Sequence, residues 1–173
     1  EKFLDAVQAY ALPCNGAFYP SVVYTPLNGT GLRPLTGIFG RIGLRDLTVV
    51  PSQRDPDGNF STCPYPNPEE ESAMEAALKL AAERGAELVI ATDPDADRIG
   101  VAAKGRDGTY RRFSGNEVGV LLEDFIFSST CVPENAYFVK TIVTTPMAEK
   151  IASAYGVKTK NVLTGFKYIG ETI

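Results

Sequence analysis

The sequence contains no histidine among its 173 residues. Imidazole is the commonest proton shuttle near neutral pH, so acid–base catalysis of that kind is excluded within this chain. Cysteine is sparse. Cys14, Cys63 and Cys131 are odd in number and widely spaced, which fits neither a disulfide framework nor a zinc or redox motif. Reduced thiols are the expectation, and with them a cytoplasmic location. No run approaches the ~18–20 apolar residues of a membrane span, and the longest apolar stretches, 88–91 and 99–103, are strand-sized. The first residues, Glu1 to Asp5, show neither the basic region nor the apolar stretch of a secretory leader. Excess positive charge is also lacking. With 17 basic and 21 acidic residues the net charge is −4, and the pI is near 4.9. Nucleic acid, which is bound by clustered Lys and Arg, is therefore not an expected partner, and neither is a membrane. A local phosphate site remains compatible with this balance.

What is present fits a folded domain: 44% hydrophobic and 22% charged residues, close to the average for globular proteins. Apolar spacing predicts a helix over 3–12, ended by Pro13 and Gly16. A β-branched strand follows at 21–25, a turn at 28–31, a helix over 32–43 and a strand at 47–51. Residues 53–69 form a long irregular stretch, and a loop of that length inside a domain is often functional. Asn67 reads as an N-cap with Pro68 at the first helical position. The helix then runs to Arg84 with Ala73, Ala76, Ala77, Leu80 and Ala81 inward, and Gly85 stops it. A buried strand at 87–92 delivers Asp93. Asp107-Gly108 marks a hairpin between strands at 98–104 and 109–113. From Asn116 the order is helix (Val118, Leu121, Leu122, Phe125, Ile126), strand (137–143), helix (146–155) and strand (159–163). This alternation predicts an α/β fold: two consecutive α/β units with mixed, mainly parallel sheets, the second truncated. The expected boundary divides residues 1–113 from 114–173.

Three loops stand out for chemistry. In Thr92-Asp93-Pro94-Asp95-Ala96-Asp97-Arg98, three carboxylates alternate just past a buried strand. Alternate side chains of an extended loop share a face, and three acids on one face repel unless a cation sits among them. Hard oxygen ligands suit Mg²⁺ or Ca²⁺. An EF-hand would require Gly and Glu where Arg98 and Lys104 stand, so that reading is rejected. The plainer alternative is a solvated Asp-Pro turn. Arg98 has two readings, a salt bridge that neutralises the aspartates or a contact to phosphate. The turn Asn28-Gly29-Thr30-Gly31 carries two glycines of a dinucleotide fingerprint but lacks the third, and no acid closes the next strand. A tight turn is the simpler account. Thr164-Gly165-Phe166-Lys167 again follows a strand; it reads as a helix start with a solvated Lys or as a polyol- and phosphate-holding loop.

Taken together, the segments VVYTPLNGTG, PYPNPEEE, ATDPDADRIGVA, GNEVGVLL, TTPMAEKIA and LTGFKYIGE resemble the α-D-phosphohexomutase superfamily, in its phosphoglucomutase/phosphomannomutase branch. The match covers nearly the whole chain in family order, and D-x-D-x-D-R is its most specific part. The resemblance implies a central piece of a four-domain enzyme: domain II at 1–113 and the front part of domain III at 114–173. It implies Asp93, Asp95 and Asp97 as Mg²⁺ ligands and Arg98 as a catalytic arginine beside the transferred phosphoryl group. Thr164, Gly165 and Lys167 are implied as substrate contacts. The implied reaction interconverts hexose 1-phosphate and 6-phosphate through a phosphoserine and a bisphosphate intermediate, with a glucose 1,6-bisphosphate-type activator. The implied partners are a phosphosugar and the remaining domains of the same parent chain. One departure is Asn28, where the family turn usually carries His. No phosphoserine loop is present, so the chain alone is expected to be inactive. A nucleotide-binding module and a non-catalytic divalent-metal module remain the alternatives.

Overall fold

Strand β1 (Val22–Thr25) is buried at every position, as its β-branched and aromatic run requires. It lies in parallel between β2 (Leu47–Val49) and β3 (Leu88–Thr92). The chain then reverses. β4 (Ile99–Lys104) runs antiparallel to β3, and β5 (Tyr110–Phe113) antiparallel to β4. The sheet order is β2-β1-β3-β4-β5. The computed structural model describes residues 1–12 and 19–173. Pro13, Gly16 and Cys14 lie outside the described residues. Among those described, two compact units are found, Glu1–Gly115 and Asn116–Ile173.

Helices α1 (Lys2–Ala9), α2 (Leu32–Arg41) and α3 (Glu71–Arg84) belong to the first unit. Its core joins Val23, Val89, Ala91 and Ala102 of the sheet to Met74, Ala77 and Ala81 of α3. A small second cluster, Leu27, Cys63 and Ala73, sits under the long loop.

Several boundaries differ from expectation for local reasons. Helix α1 stops at Ala9, because the Tyr10 and Ala11 N–H groups turn to the carbonyls of Val7 and Gln8, three residues back. Helix α3 begins at Glu71, not at Asn67-Pro68. Asn67 does cap a turn, accepting the Glu69 N–H at 3.1 Å, but that turn closes on itself before the helix starts. Met74 is buried alongside the alanines, whereas Ala76 and Leu80 are only half-buried. Gly85 ends α3 in the left-handed conformation, φ 68°, as anticipated.

The second unit runs α4 (Gly115–Ser129), β6 (Tyr137–Thr141), α5 (Pro146–Ala154), β7 (Lys158–Val162) and α6 (Phe166–Gly170). Its sheet consists of β6 and β7, paired in parallel from Tyr137↔Lys158 to Thr141↔Val162. The mixed α/β class with mainly parallel neighbours is thus the observed one. Among the described residues no helix is long and apolar enough to cross a membrane.

Candidate active site

Strand β3 ends on two polar residues held inside the fold. Thr92 meets the Tyr24 hydroxyl at 2.9 Å, oxygen to oxygen. Asp93 follows with 1% of its surface exposed. Its carboxylate accepts the Arg98 backbone N–H at 3.0 Å on Oδ1 and the Arg98 Nε–H at 2.8 Å on Oδ2. The chain between them is a turn and not an extended run. The Ala96 N–H donates to the Asp93 carbonyl at 3.0 Å, and Ala96 takes φ 60°, a left-handed conformation that a non-glycine residue adopts at a cost. This turn, more than the alternation of an extended loop, brings the three acids together. Oxygens of Asp93, Asp95 and Asp97 all lie within 4.8 Å of one another.

The electrostatics fit a cation. Burial pushes the Asp93 carboxyl up, but the backbone and side-chain hydrogen bonds from Arg98 outweigh it and hold the group below its ordinary value. The Asp97 carboxyl is raised, first by the charge of Asp95 and then by burial and the charge of Asp93. The residues thus repel one another as they stand. Metal–oxygen distances of about 2.0–2.6 Å place ligand pairs no more than about 5 Å apart, matching the observed span. Each Asp93 oxygen keeps a lone pair after bonding to Arg98. Of the two readings of Arg98, the salt bridge is the one observed: it runs through Nε to Asp93 at 2.8 Å, and the side chain is 55% exposed.

The glycine turn supports this loop from behind. The Thr30 N–H donates to the Pro94 carbonyl at 2.8 Å, and its hydroxyl adds a bond at 3.1 Å. A Cβ on Gly29 would overlap the Pro94 backbone, so the glycine is accounted for by close backbone approach without any nucleotide. Asn28, at φ 58°, donates through Nδ2 to the Asp55 carbonyl at 2.8 Å and accepts the Thr62 hydroxyl at 2.7 Å. It therefore anchors the long 53–69 loop. That loop brings Phe60, Tyr65, Pro66 and Asn67 to a cleft with Asp93, Pro94, Asp95 and Arg98. Sequence reasoning singled out the length of the loop, and Asn67 as a helix cap, but placed none of these four beside the aspartates, which lie about thirty positions further along the chain and leave no local signal.

The family model for phosphoglucomutase/phosphomannomutase alpha/beta/alpha domain II matches residues 1–108, and that for domain III matches residues 114–173. The chain belongs to the phosphoglucomutase/phosphomannomutase family. Among curated relatives, a Staphylococcus saprophyticus phosphoglucomutase is 39% identical over 153 residues, covering 88% of this chain and 28% of that protein. A Schizosaccharomyces pombe protein described as a probable phosphoribomutase is 41% identical over 156 residues, covering 86% of this chain and 26% of its own length. This family member therefore spans under a third of the relatives it matches. Among solved structures, a family protein from Burkholderia thailandensis superposes with a TM-score of 0.77 at 19% identity, over 99% of this chain and 34% of that one. An Aspergillus fumigatus N-acetylphosphoglucosamine mutase variant, solved with glucose 1,6-bisphosphate, gives 0.57 at 16% identity, over 88% and 30%.

The remaining expected site residues of this family member lie in the second unit. Thr164 and Lys167 are exposed. Gly165 takes φ 136°, a backbone conformation that favours glycine, at the start of α6. Lys167 places its ammonium 4.6 Å from the Tyr168 ring centroid. They follow β7, beyond the carboxyl end of a parallel strand, where α/β folds present ligand-binding loops.

Proposed function

We propose that this chain is the metal-loop portion of a phosphohexomutase that interconverts hexose 1-phosphate and 6-phosphate through a phosphoserine and a bisphosphate intermediate. The observation carrying the reading is the convergence of Asp93, Asp95 and Asp97 within 4.8 Å beside an arginine tied to the buried member. In this reading the three carboxylates hold Mg²⁺, which when bound supplies charge neutralisation at the phosphoryl group. Asp93 holds Arg98 at its Nε and backbone N–H, and the terminal guanidinium nitrogens would serve a phosphate oxygen. Phosphoryl transfer depends on such positioning more than on a strong base. Thr164, Gly165 and Lys167 contact the sugar, and the nucleophilic serine belongs to other domains of the parent chain. A bisphosphate sugar serves as activator, in line with the ligand of the Aspergillus relative. Phosphoribomutase among the relatives leaves the sugar itself open.

In the parent enzyme, Asp95→Asn is expected to lower turnover about 10²-fold or more, the scale of losing one preorganised charge-stabilising group. Unchanged turnover would overturn the assignment. The isolated chain should give no turnover with glucose 1-phosphate, Mg²⁺ and bisphosphate, since it lacks the phosphoserine.

A further inference from the structure

The cleft beside the aspartates is chemically mixed. Its lining combines the charged Asp93, Asp95 and Arg98 with Phe60, Tyr65 and Pro66, around an open space of about 310 Å³. An inorganic ion needs only the charged groups. The fold nevertheless commits several interactions to the others. Phe60 sits at φ 48°, a conformation an aromatic residue adopts only when its surroundings enforce it. Asp57 supplies that enforcement. Its two carboxylate oxygens accept the N–H groups of Asn59 and Ser61, both at 2.9 Å, and its carbonyl accepts the Phe60 N–H at 3.0 Å. Next along the loop, the Thr62 hydroxyl is anchored on Asn28 at 2.7 Å. Tyr65 remains 66% exposed although it lines the cleft. Its ring is therefore open to a ligand that enters the cleft.

We infer that Phe60 and Tyr65 are specificity-determining residues that receive the organic stem of a phosphate monoester whose phosphate faces Arg98 and the aspartates. The inference rests on the phosphoryl-site reading above and adds to it what distinguishes an esterified phosphate from a free one. The stem has two possible sources, a phosphorylated serine side chain and a sugar ring, and both present C–H surface to an aromatic ring.

The test uses the 173-residue chain with saturating Mg²⁺. Dissociation constants are measured by ³¹P NMR titration for inorganic phosphate, O-phospho-L-serine and glucose 1-phosphate. Tyr65→Ala and Phe60→Ala are each expected to weaken one or both organic monoesters about 5- to 10-fold while leaving inorganic phosphate within about twofold. Tyr65→Phe should retain the wild-type preference. The monoester that loses more identifies the source of the stem. Tyr65 is exposed enough that its truncation leaves the fold intact, so it stands alone if Phe60→Ala misfolds. Equal losses for all three anions, or none for any, would overturn the inference while leaving the phosphoryl site standing. Failure of the wild type to bind any of the three with Mg²⁺ would overturn both.

Discussion

In the 1–115 unit Tyr24, Leu27, Met74 and Val89 are fully buried, whereas the 116–173 unit buries no described hydrophobic side chain larger than valine. The contrast is sharpest in the helices. Helix α3 turns Ala73, Met74, Ala77 and Ala81 inward against the sheet. Helix α4 leaves Leu121, Leu122, Phe125 and Ile126 exposed, and its one buried residue is Glu123. Neither Glu123 oxygen makes a well-formed hydrogen bond. A five-stranded sheet gives α3 a broad surface to cover; two strands and two further short helices do not give α4 one. Apolar periodicity thus marks which face of a helix requires cover, not which face is covered within a given stretch of chain.

This comparison can be broken by substitution. The largest effect is expected for Met74→Ala, about 2–5 kcal/mol of lost stability as a buried side chain is replaced by a cavity. Hydrogen exchange of β1 and β3 peptides reads it, and an unchanged exchange rate would mean the α3 face is not the core. Next comes Gly29→Ala. Because its Cβ overlaps the Pro94 backbone, it should cost about 1–3 kcal/mol and also loosen the aspartate loop, seen as faster exchange at 93–98. In the smaller unit the sign should reverse. Burial raises the Glu123 carboxyl and the charge of Asp124 adds to the rise, while the nearby Ala152 backbone N–H and then the charge of Lys140 oppose it. An acid with a raised folded-state pKa binds more protons when folded, so stability falls as pH rises from the ordinary glutamate value through the raised one. Glu123→Leu should therefore stabilise the second unit by about 1–3 kcal/mol at pH 7, with the gain shrinking toward pH 4. A pH-independent gain would show that the carboxyl is not the cause. Smallest is Leu122→Ser, expected within about 0.5 kcal/mol because the side chain is already in water.

Much of the architecture was legible because its signals are local. The hairpin at Asp107-Gly108, the Gly85 stop and the acid-rich loop after an apolar strand each lie within a few residues of the structure they specify. The spacing of the aspartates already signals that they share a face, though it is the turn at Ala96, not extended alternation, that brings their oxygens together. What could not be read depends on distant contacts. Asn28 carries no local sign that it anchors Asp55 and Thr62, and Gly29 is explained only by Pro94, 65 positions later. Asn67 and Pro68 form a good helix-start signal, but Asn67 spent its cap on a turn that closes three residues too early. For α4 the pattern was correct as a helix and uninformative about burial.

In the proposed function the three-aspartate loop is a divalent cation site completed by phosphate. Calorimetric titration of the chain with Mg²⁺, alone and with inorganic phosphate, tests it most directly. Mg²⁺ dehydrates reluctantly and usually combines one or two carboxylates with phosphate oxygens. Binding to the chain alone is predicted to be millimolar, to tighten when phosphate is added, and to disappear in Asp95→Asn. A micromolar site indifferent to phosphate would contradict the account and favour a metal-binding module complete in itself, and binding that survives Asp95→Asn would show that the cation is held elsewhere.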